Sequence, residues 1–169
     1  MERHVLSILV ENHPGVLARI SGLFSRRGYN IDSLSVGETE DSRLSRITVA
    51  VMGDADIIEQ IRKQVEKLVD VTEVIVLLPC ESVYRELTLI KVRATTKVRA
   101  EIVSIVEIFR ANIIDVANES MTVELTGDQA KVEAFTELMA PYGVIEIVRT
   151  GLTAIQRGNI ALKEHEKKW

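Results

Sequence analysis

The chain has 169 residues, 46% of them hydrophobic but only 4% aromatic, with a formal net charge of −4. That is enough to bury one core or two small ones, filled by Val, Ile and Leu, and the acidic balance argues against a non-specific nucleic-acid binder. Cys80 is a single cysteine with no partner for an internal disulfide, which points to an intracellular chain; the opening MERHVLSILVENHPG has too short an apolar run for a signal peptide, and no segment reaches membrane-spanning length.

Val5 to Val10 reads as a strand, apolar at both parities apart from Ser7, which predicts cover on both faces. His13 and Pro14 break it, and Pro14 suits the first turn of a helix. Val16, Leu17, Ile20, Leu23 and Phe24 form one apolar stripe, Arg26 and Arg27 fall in the last turn, and Gly28 is a stop. Asn30 to Val36 is a second strand, and GETEDSR is a polar link. Ile47 to Val51 alternates as a third strand. Gly53 and Asp54 open a helix with Ile58, Ile61, Val65 and Leu68 inward, and Asp70 to Leu78 is a fourth strand. This β-α-β-β-α-β order is that of ferredoxin-like folds, in which the second strand lies on an edge.

Pro79, Cys80, Glu81 and Ser82 read as a linker, after which the order restarts. Glu86 to Ala94 is a strand, and Val98, Ile102, Ile105, Val106 and Phe109 mark a helix. Asn112 to Val116 and Met121 to Leu125 are strands. Val132, Phe135, Leu138 and Met139 mark the last helix, and Val144 to Val148 closes the unit. Thr48-Val49 then Gly53-Asp54 matches Thr122-Val123 then Gly127-Asp128 at the same spacing, and Asn30-Ile31-Asp32 resembles Asn112-Ile113-Ile114-Asp115. The fold class is therefore α+β, two tandem ferredoxin-like βαββαβ domains at residues 4–78 and 82–151. Residues 152–169 form a tail of weakly helical pattern that reads as a docking segment.

His4, His13 and His165 do not group with Cys80 or with carboxylates at ligand spacing, so no metal site is expected. No nucleophile elbow, Walker loop or G-x-G-x-x-G is present, so no catalytic residues are expected. Glu38, Glu40 and Asp41 read as a solvated acidic turn. An RNA-recognition module shares the element order but needs stacking aromatics on its central strands, and those strands have none.

What remains is the loop Glu11 to Leu17, ENHPGVL, between a strand and a helix N-terminus, where unpartnered N–H groups attract a carboxylate. An Asx turn at Asn12 and a tight entry at Gly15 explain the same residues without a ligand. A binding role gains from three features. Asn12, the N–H groups near Gly15 and Val16, and Asn30 are expected to converge, because the first helix joins the first strand to the second. Together they suit the carboxylate and ammonium of a free amino acid. Val16, Leu17 and Ile31 supply an apolar pocket for an aliphatic side chain. The second copy has Thr95-Thr96-Lys97-Val98-Arg99 instead and is not expected to bind in the same way.

ENHPGVLARISGLFSRRGYNIDSLSV resembles the opening of an ACT domain, specifically that of the regulatory (small) subunit of acetolactate synthase, also called acetohydroxyacid synthase. SLSVGETEDSRLSRITVAV, LVDVTEVIVL, RELTLIKVRA, FRANIIDV and GLTAIQRG are similar to further landmarks of that family, nearly end to end. The resemblance implies a non-catalytic chain that activates a separate catalytic subunit in valine, leucine and isoleucine biosynthesis. It also implies feedback inhibition by valine. The family's valine positions fall on Asn12, Gly15, Val16, Leu17, Asn30 and Ile31. Thiamine diphosphate, FAD and Mg2+ belong to the catalytic subunit, and none is implied here. ACT domains pair through the edge strand, so the resemblance implies a cytoplasmic homodimer with valine between protomers. Leu87 to Arg93 and the tail from Leu152 are expected to meet the catalytic subunit. The alternative is a free-standing amino-acid-sensing ACT protein acting on another partner; a helix-turn-helix would favour it, and none is visible.

Overall fold

The protein, described from a computed structural model over residues 2–162, divides into two compact units: residues 2–83 with 152–162, and residues 84–151. His165 and the charged end of the tail, 163–169, lie outside the described residues.

In the first unit β1 (Glu2–Glu11), α1 (Val16–Arg26), β2 (Ile31–Glu38), β3 (Leu44–Gly53), α2 (Ala55–Val65) and β4 (Val71–Leu77) follow the expected order. The strands form an antiparallel sheet in the order β2-β3-β1-β4, with β2 on an edge. Leu6, Ile8 and Val10 of β1 and Ile47, Val49 and Val51 of β3 face the helices. They meet Ile20 and Phe24 of α1 and Ile58 and Ile61 of α2 in one core. α1 begins at Val16 rather than at Pro14, because Gly15 takes a left-handed conformation at the N-cap (φ 92°). Its other end closes with Gly28 at φ 71°, the Gly28 N–H donating to the Ser25 carbonyl and that of Tyr29 to the Phe24 carbonyl. This pair of bonds ends a helix and turns the chain into the next strand, and the left-handed residue it needs is cheapest as glycine. α2 stops at Val65, so Leu68 packs against the core from the following turn.

The opposite face of β1 is equally dry, with Val5, Ser7 and Leu9 only 3%, 1% and 2% exposed. The cover comes from the far end of the chain. β9 (Thr153–Gln156) lies against β1 and β4, with Leu152 and Ala154 buried and Thr153 and Ile155 outward. Leu152 is pinned from both sides: its carbonyl accepts from Ser35 Oγ at 2.9 Å, and its N–H donates to Ser33 Oγ at 3.3 Å. Leu162 is also buried, in a groove it shares with Leu9, Leu44 and Arg46. The helical pattern expected after Gly151 is therefore replaced by a strand. Alternating Leu152-Thr153-Ala154-Ile155 offers one face to a dry sheet, and that burial outweighs a weak helical preference.

The second unit repeats the order with β5 (Ser82–Arg93), α3 (Arg99–Ile108), β6 (Asn112–Val116), β7 (Ser120–Gly127), α4 (Gln129–Met139) and β8 (Val144–Arg149), arranged β6-β7-β5-β8. Ile90, Val92, Val123 and Leu125 face Ile102, Val106, Val132, Phe135 and Met139 across its core, whereas Leu138 is 47% exposed, on the outer side of α4. The repeat read from the sequence holds at atomic level. Asp54 caps α2 by accepting from the Ile57 N–H, and Asp128 caps α4 by accepting from the Lys131 N–H, both at 2.9 Å. Each cap follows a glycine that ends a strand. A Cβ on Gly53 would approach Ile57 Cγ2 to 3.1 Å, and one on Gly127 would approach Lys131 Cδ to 2.6 Å, so the tight entry explains both G-D pairs.

Candidate functional site

β1 delivers Asn12 to the sheet end where β2 finishes and β3 starts. The Asn12 N–H donates to the Arg43 carbonyl at 2.7 Å, and its side-chain amide donates to Glu38 Oε1 at 3.1 Å and to the Ser42 carbonyl at 2.9 Å. Both amide hydrogens are thereby used, and Oδ1 remains as the group of Asn12 that can accept, the polarity an ammonium requires. Glu11, Asn12, His13, Ser42, Arg43 and Leu44 line an open groove here.

The first turn of α1 stands beside this groove. Unlike α2 and α4, it has no side-chain cap, and unlike α2 it has no acidic residue in its first turn. Its leading N–H groups keep the partial positive charge that favours an anion. A Cβ built on Gly15 meets nothing within 4 Å, so the glycine is required by its backbone angle and the space beside it is open. The Val16 side chain is in the core, leaving its N–H as the group it can offer, while Leu17 is 42% exposed and Ile31 half-buried.

Asn30 is elsewhere. It precedes β2, its amide donating to Asp32 Oδ1 at 3.2 Å, and Ile31 pairs with Val51, which pairs in turn with His4 at the opposite end of β1. Asn12 adjoins Glu38, seven residues further along β2, a distance of about 23 Å at strand rise. Convergence of Asn12, Gly15 and Asn30 within one chain is therefore corrected. α1 carries the chain back across the sheet, so Asn12, Gly15, Val16 and Leu17 share one end, and Asn30 and Ile31 the other.

The fold also makes a cluster that spacing did not show. His13 Nε2 lies 3.0 Å from Asp70 Oδ1 and 3.4 Å from Glu11 Oε2, while the other Asp70 oxygen is held by the guanidinium of Arg19. The reading that no histidine meets carboxylates is thus corrected, since β4 brings Asp70 to the end of β1. Nothing local in the sequence marks Arg19, Ser42 or Asp70 as neighbours of this loop. Beside it, the Thr39–Leu44 turn is stiffened by Arg43, whose side chain and N–H both donate to Asp41 and hold that carboxyl at about 2.

In the second unit an arginine bridges the equivalent loops. Arg99 Nε donates to the Ala94 carbonyl at 3.0 Å, and its Nη2 donates to the carbonyls of Ala117 and Asn118, both at 2.5 Å. α3 also starts without a side-chain cap, but its first residue is the cation Arg99 where α1 has Val16.

Residues 6–73 match the family profile described as the AHAS small subunit-like ACT domain, and residues 85–158 that of the small subunit of acetolactate synthase. The probable acetolactate synthase small subunit of Archaeoglobus fulgidus is 51% identical over 157 residues, which is 93% of this chain and 98% of that one. The acetolactate synthase small subunit of Mycobacterium leprae is 49% identical over 155 residues, 92% of each chain. Among solved structures, the acetolactate synthase small subunit of Thermotoga maritima superposes with a TM-score of 0.87 at 48% identity, covering 95% of this chain and 100% of that one.

Proposed function

The chain belongs to the acetolactate synthase small-subunit family, and on that premise we propose that it joins the catalytic subunit and makes it sensitive to valine. In this reading the ACT domain, residues 4–78, binds valine and dimerises, and residues 82–151 meet the catalytic subunit, with Leu87 to Arg93 and the segment from Leu152 as contacts. Thiamine diphosphate, FAD and Mg2+ serve the catalytic subunit in the cytoplasm, in the pathway to valine, leucine and isoleucine. Among the described residues no helix is long and apolar enough to cross a membrane.

The observation that carries this reading is the separation of Asn12 and Asn30 along an edge strand with no neighbour on its outer side among the described residues. Antiparallel pairing of β2 with the same strand of a second chain, about a two-fold axis near Leu34 and Ser35, sets Ile31 of each chain opposite Glu38 of the other. The partner's Asn30 then reaches the end of β2 where Glu38 holds Asn12. Valine would lie between the chains, its carboxylate on the N–H groups following Gly15 and its ammonium on asparagine oxygens. Such pairing also removes an unprotected strand edge. Valine regulates by binding one arrangement of the assembly better than another; a coupling of about 1–3 kcal/mol gives roughly 5–150-fold control.

The test is calorimetric titration of the full chain with valine, leucine and isoleucine, followed by valine inhibition of the enzyme reconstituted with the catalytic subunit. Binding of valine together with inhibition supports the reading. A chain that binds none of the three, or that activates without conferring inhibition, overturns it.

A further inference from the structure

Backbone contacts fix three potential metal ligands at one place. The Glu11 N–H donates to the Asp70 carbonyl at 2.9 Å, and the His13 N–H to the Glu11 carbonyl at 3.2 Å, so the three residues are tied together before their side chains are considered. Their side chains then converge, with one donor atom from each of Glu11, His13 and Asp70 within 4.8 Å of the others.

The orientation of the imidazole is informative. His13 Nδ1 lies 3.1 Å from the Pro14 carbonyl, and a carbonyl can only accept, so Nδ1 carries a hydrogen. In the neutral ring Nε2 is then a bare lone pair, and it faces carboxylate oxygens of Asp70 at 3.0 Å and Glu11 at 3.4 Å. Ionised carboxylates are acceptors as well, so three acceptors point at one spot, which requires either a proton on Nε2 or a cation. Metal-bound histidines characteristically donate their other N–H to a backbone carbonyl or carboxylate, and ligating carboxylates are themselves held by hydrogen bonds. Pro14 supplies the first feature and Arg19, on the second oxygen of the buried Asp70, the other. Donor atoms on a tetrahedral zinc ion are separated by about 3.4 Å, as Zn–N and Zn–O bonds of about 2.0–2.2 Å require. The observed 3.0 and 3.4 Å need only small side-chain adjustment.

We propose that His13 Nε2, Glu11 and Asp70 form a divalent-metal site that takes Zn2+ by preference over Mg2+, with water completing the coordination. One imidazole and two carboxylates form a mixed N/O set that suits zinc, whereas magnesium favours all-oxygen octahedra. A bound ion ties the end of β1 to the start of β4 immediately before Gly15. The site does not depend on the valine reading, since metal binding is measured with neither valine nor the catalytic subunit present.

The experiment strips the full chain with a chelator and titrates it with Zn2+ and, separately, Mg2+ by calorimetry, in the native sequence and in His13→Ala and Glu11→Gln. His13 and Glu11 are both well exposed, so these variants keep the fold, which a thermal melt of each metal-free chain verifies. His4→Ala and His165→Ala serve as controls. The expected result is a single Zn2+ per chain, at least tenfold weaker binding in His13→Ala and Glu11→Gln, and unchanged binding in the controls. Cobalt substitution should give the intense visible bands of a tetrahedral ion, lost in His13→Ala. Absence of Zn2+ binding, or equal affinity in the native chain and His13→Ala, overturns the site and leaves the cluster as contacts between His13 and two carboxylates alone.

Discussion

Asn12 and Asn30 stand at opposite ends of β2: the Asn12 amide donates to Glu38 at the end of the strand, whereas Asn30 immediately precedes Ile31 at its start. A ligand the size of an amino acid cannot touch both in one chain, so a site that uses both is shared between two. This gives a complementation test. Asn12→Ala and Asn30→Ala each remove valine binding as pure dimers. In a mixed dimer one site carries both lesions and the other carries neither. Random mixing of equal amounts should restore about a quarter of the native sites, because half the dimers are mixed and each holds one intact site of two. Calorimetric stoichiometry of the mixture is the measurement; a site contained in one chain would show no recovery.

Gly15 separates backbone demand from ligand space. With φ at 92°, Gly15→Ala carries left-handed strain of about 1–2 kcal/mol, yet its Cβ meets nothing within 4 Å and the chain should still fold. Gly15→Asp adds a carboxylate beside the helix start that would receive the carboxylate of valine. The expected outcome is at least tenfold weaker valine inhibition in Gly15→Asp, with activation retained, measured on the reconstituted enzyme. Gly15→Ala should lie between it and the native chain.

Asp41 reports on the turn beside Asn12. The side-chain and then the backbone N–H groups of Arg43 hold its carboxyl at about 2, below the ordinary 3.8. A depressed carboxyl contributes stability that is present above its unfolded value and is lost as pH falls, here between about 4 and about 2. Carboxyl titration by NMR should place the Asp41 midpoint near 2 in the native chain and return it toward 3.8 in Arg43→Ala.

The two units end their first helices in the same way with different residues. Gly28 and Arg110 both occupy the left-handed position, at φ 71° and 53°. The Arg110 N–H donates to the Glu107 carbonyl, and that of Ala111 to the Val106 carbonyl, as Gly28 and Tyr29 do in the first unit. Arginine bears a Cβ penalty that glycine does not. Arg110→Gly should stabilise the protein by about 0.5–1 kcal/mol after allowance for unfolded-chain entropy, and Gly28→Ala should destabilise it by about 1 kcal/mol. Urea denaturation measures both.

Leu162 is 8% exposed and belongs to the first unit, although it lies close to the end of the chain. Leu162→Ala should cost about 2 kcal/mol, at the lower end for a core leucine because the site is near the surface. A truncation after Asn159 therefore removes packing from the ACT sheet together with any contact to the catalytic subunit. Thermal melting of Leu162→Ala separates the two effects.

The sequence by itself determined the element order within each βαββαβ unit, the doubling of that unit, and the helix boundaries marked by Gly53-Asp54, Gly127-Asp128 and Gly28. These depend on short-range rules: apolar period, Asp at an N-cap after a glycine, glycine in a left-handed position. It also marked β1 as covered on both faces, since Val5 and Leu9 are as apolar as Leu6 and Ile8. What covers the second face was decided only by the tertiary structure, because the segment from Leu152 gains its burial from a sheet formed at the other end of the chain. The same holds at the loop. Asn12 and Gly15 were legible from a strand–loop–helix junction, but the separation of Asn30 follows from strand register, and the meeting of His13 with Asp70 from β4 lying beside β1. Those are long-range pairings set by the whole sheet, and no local period in the chain encodes them.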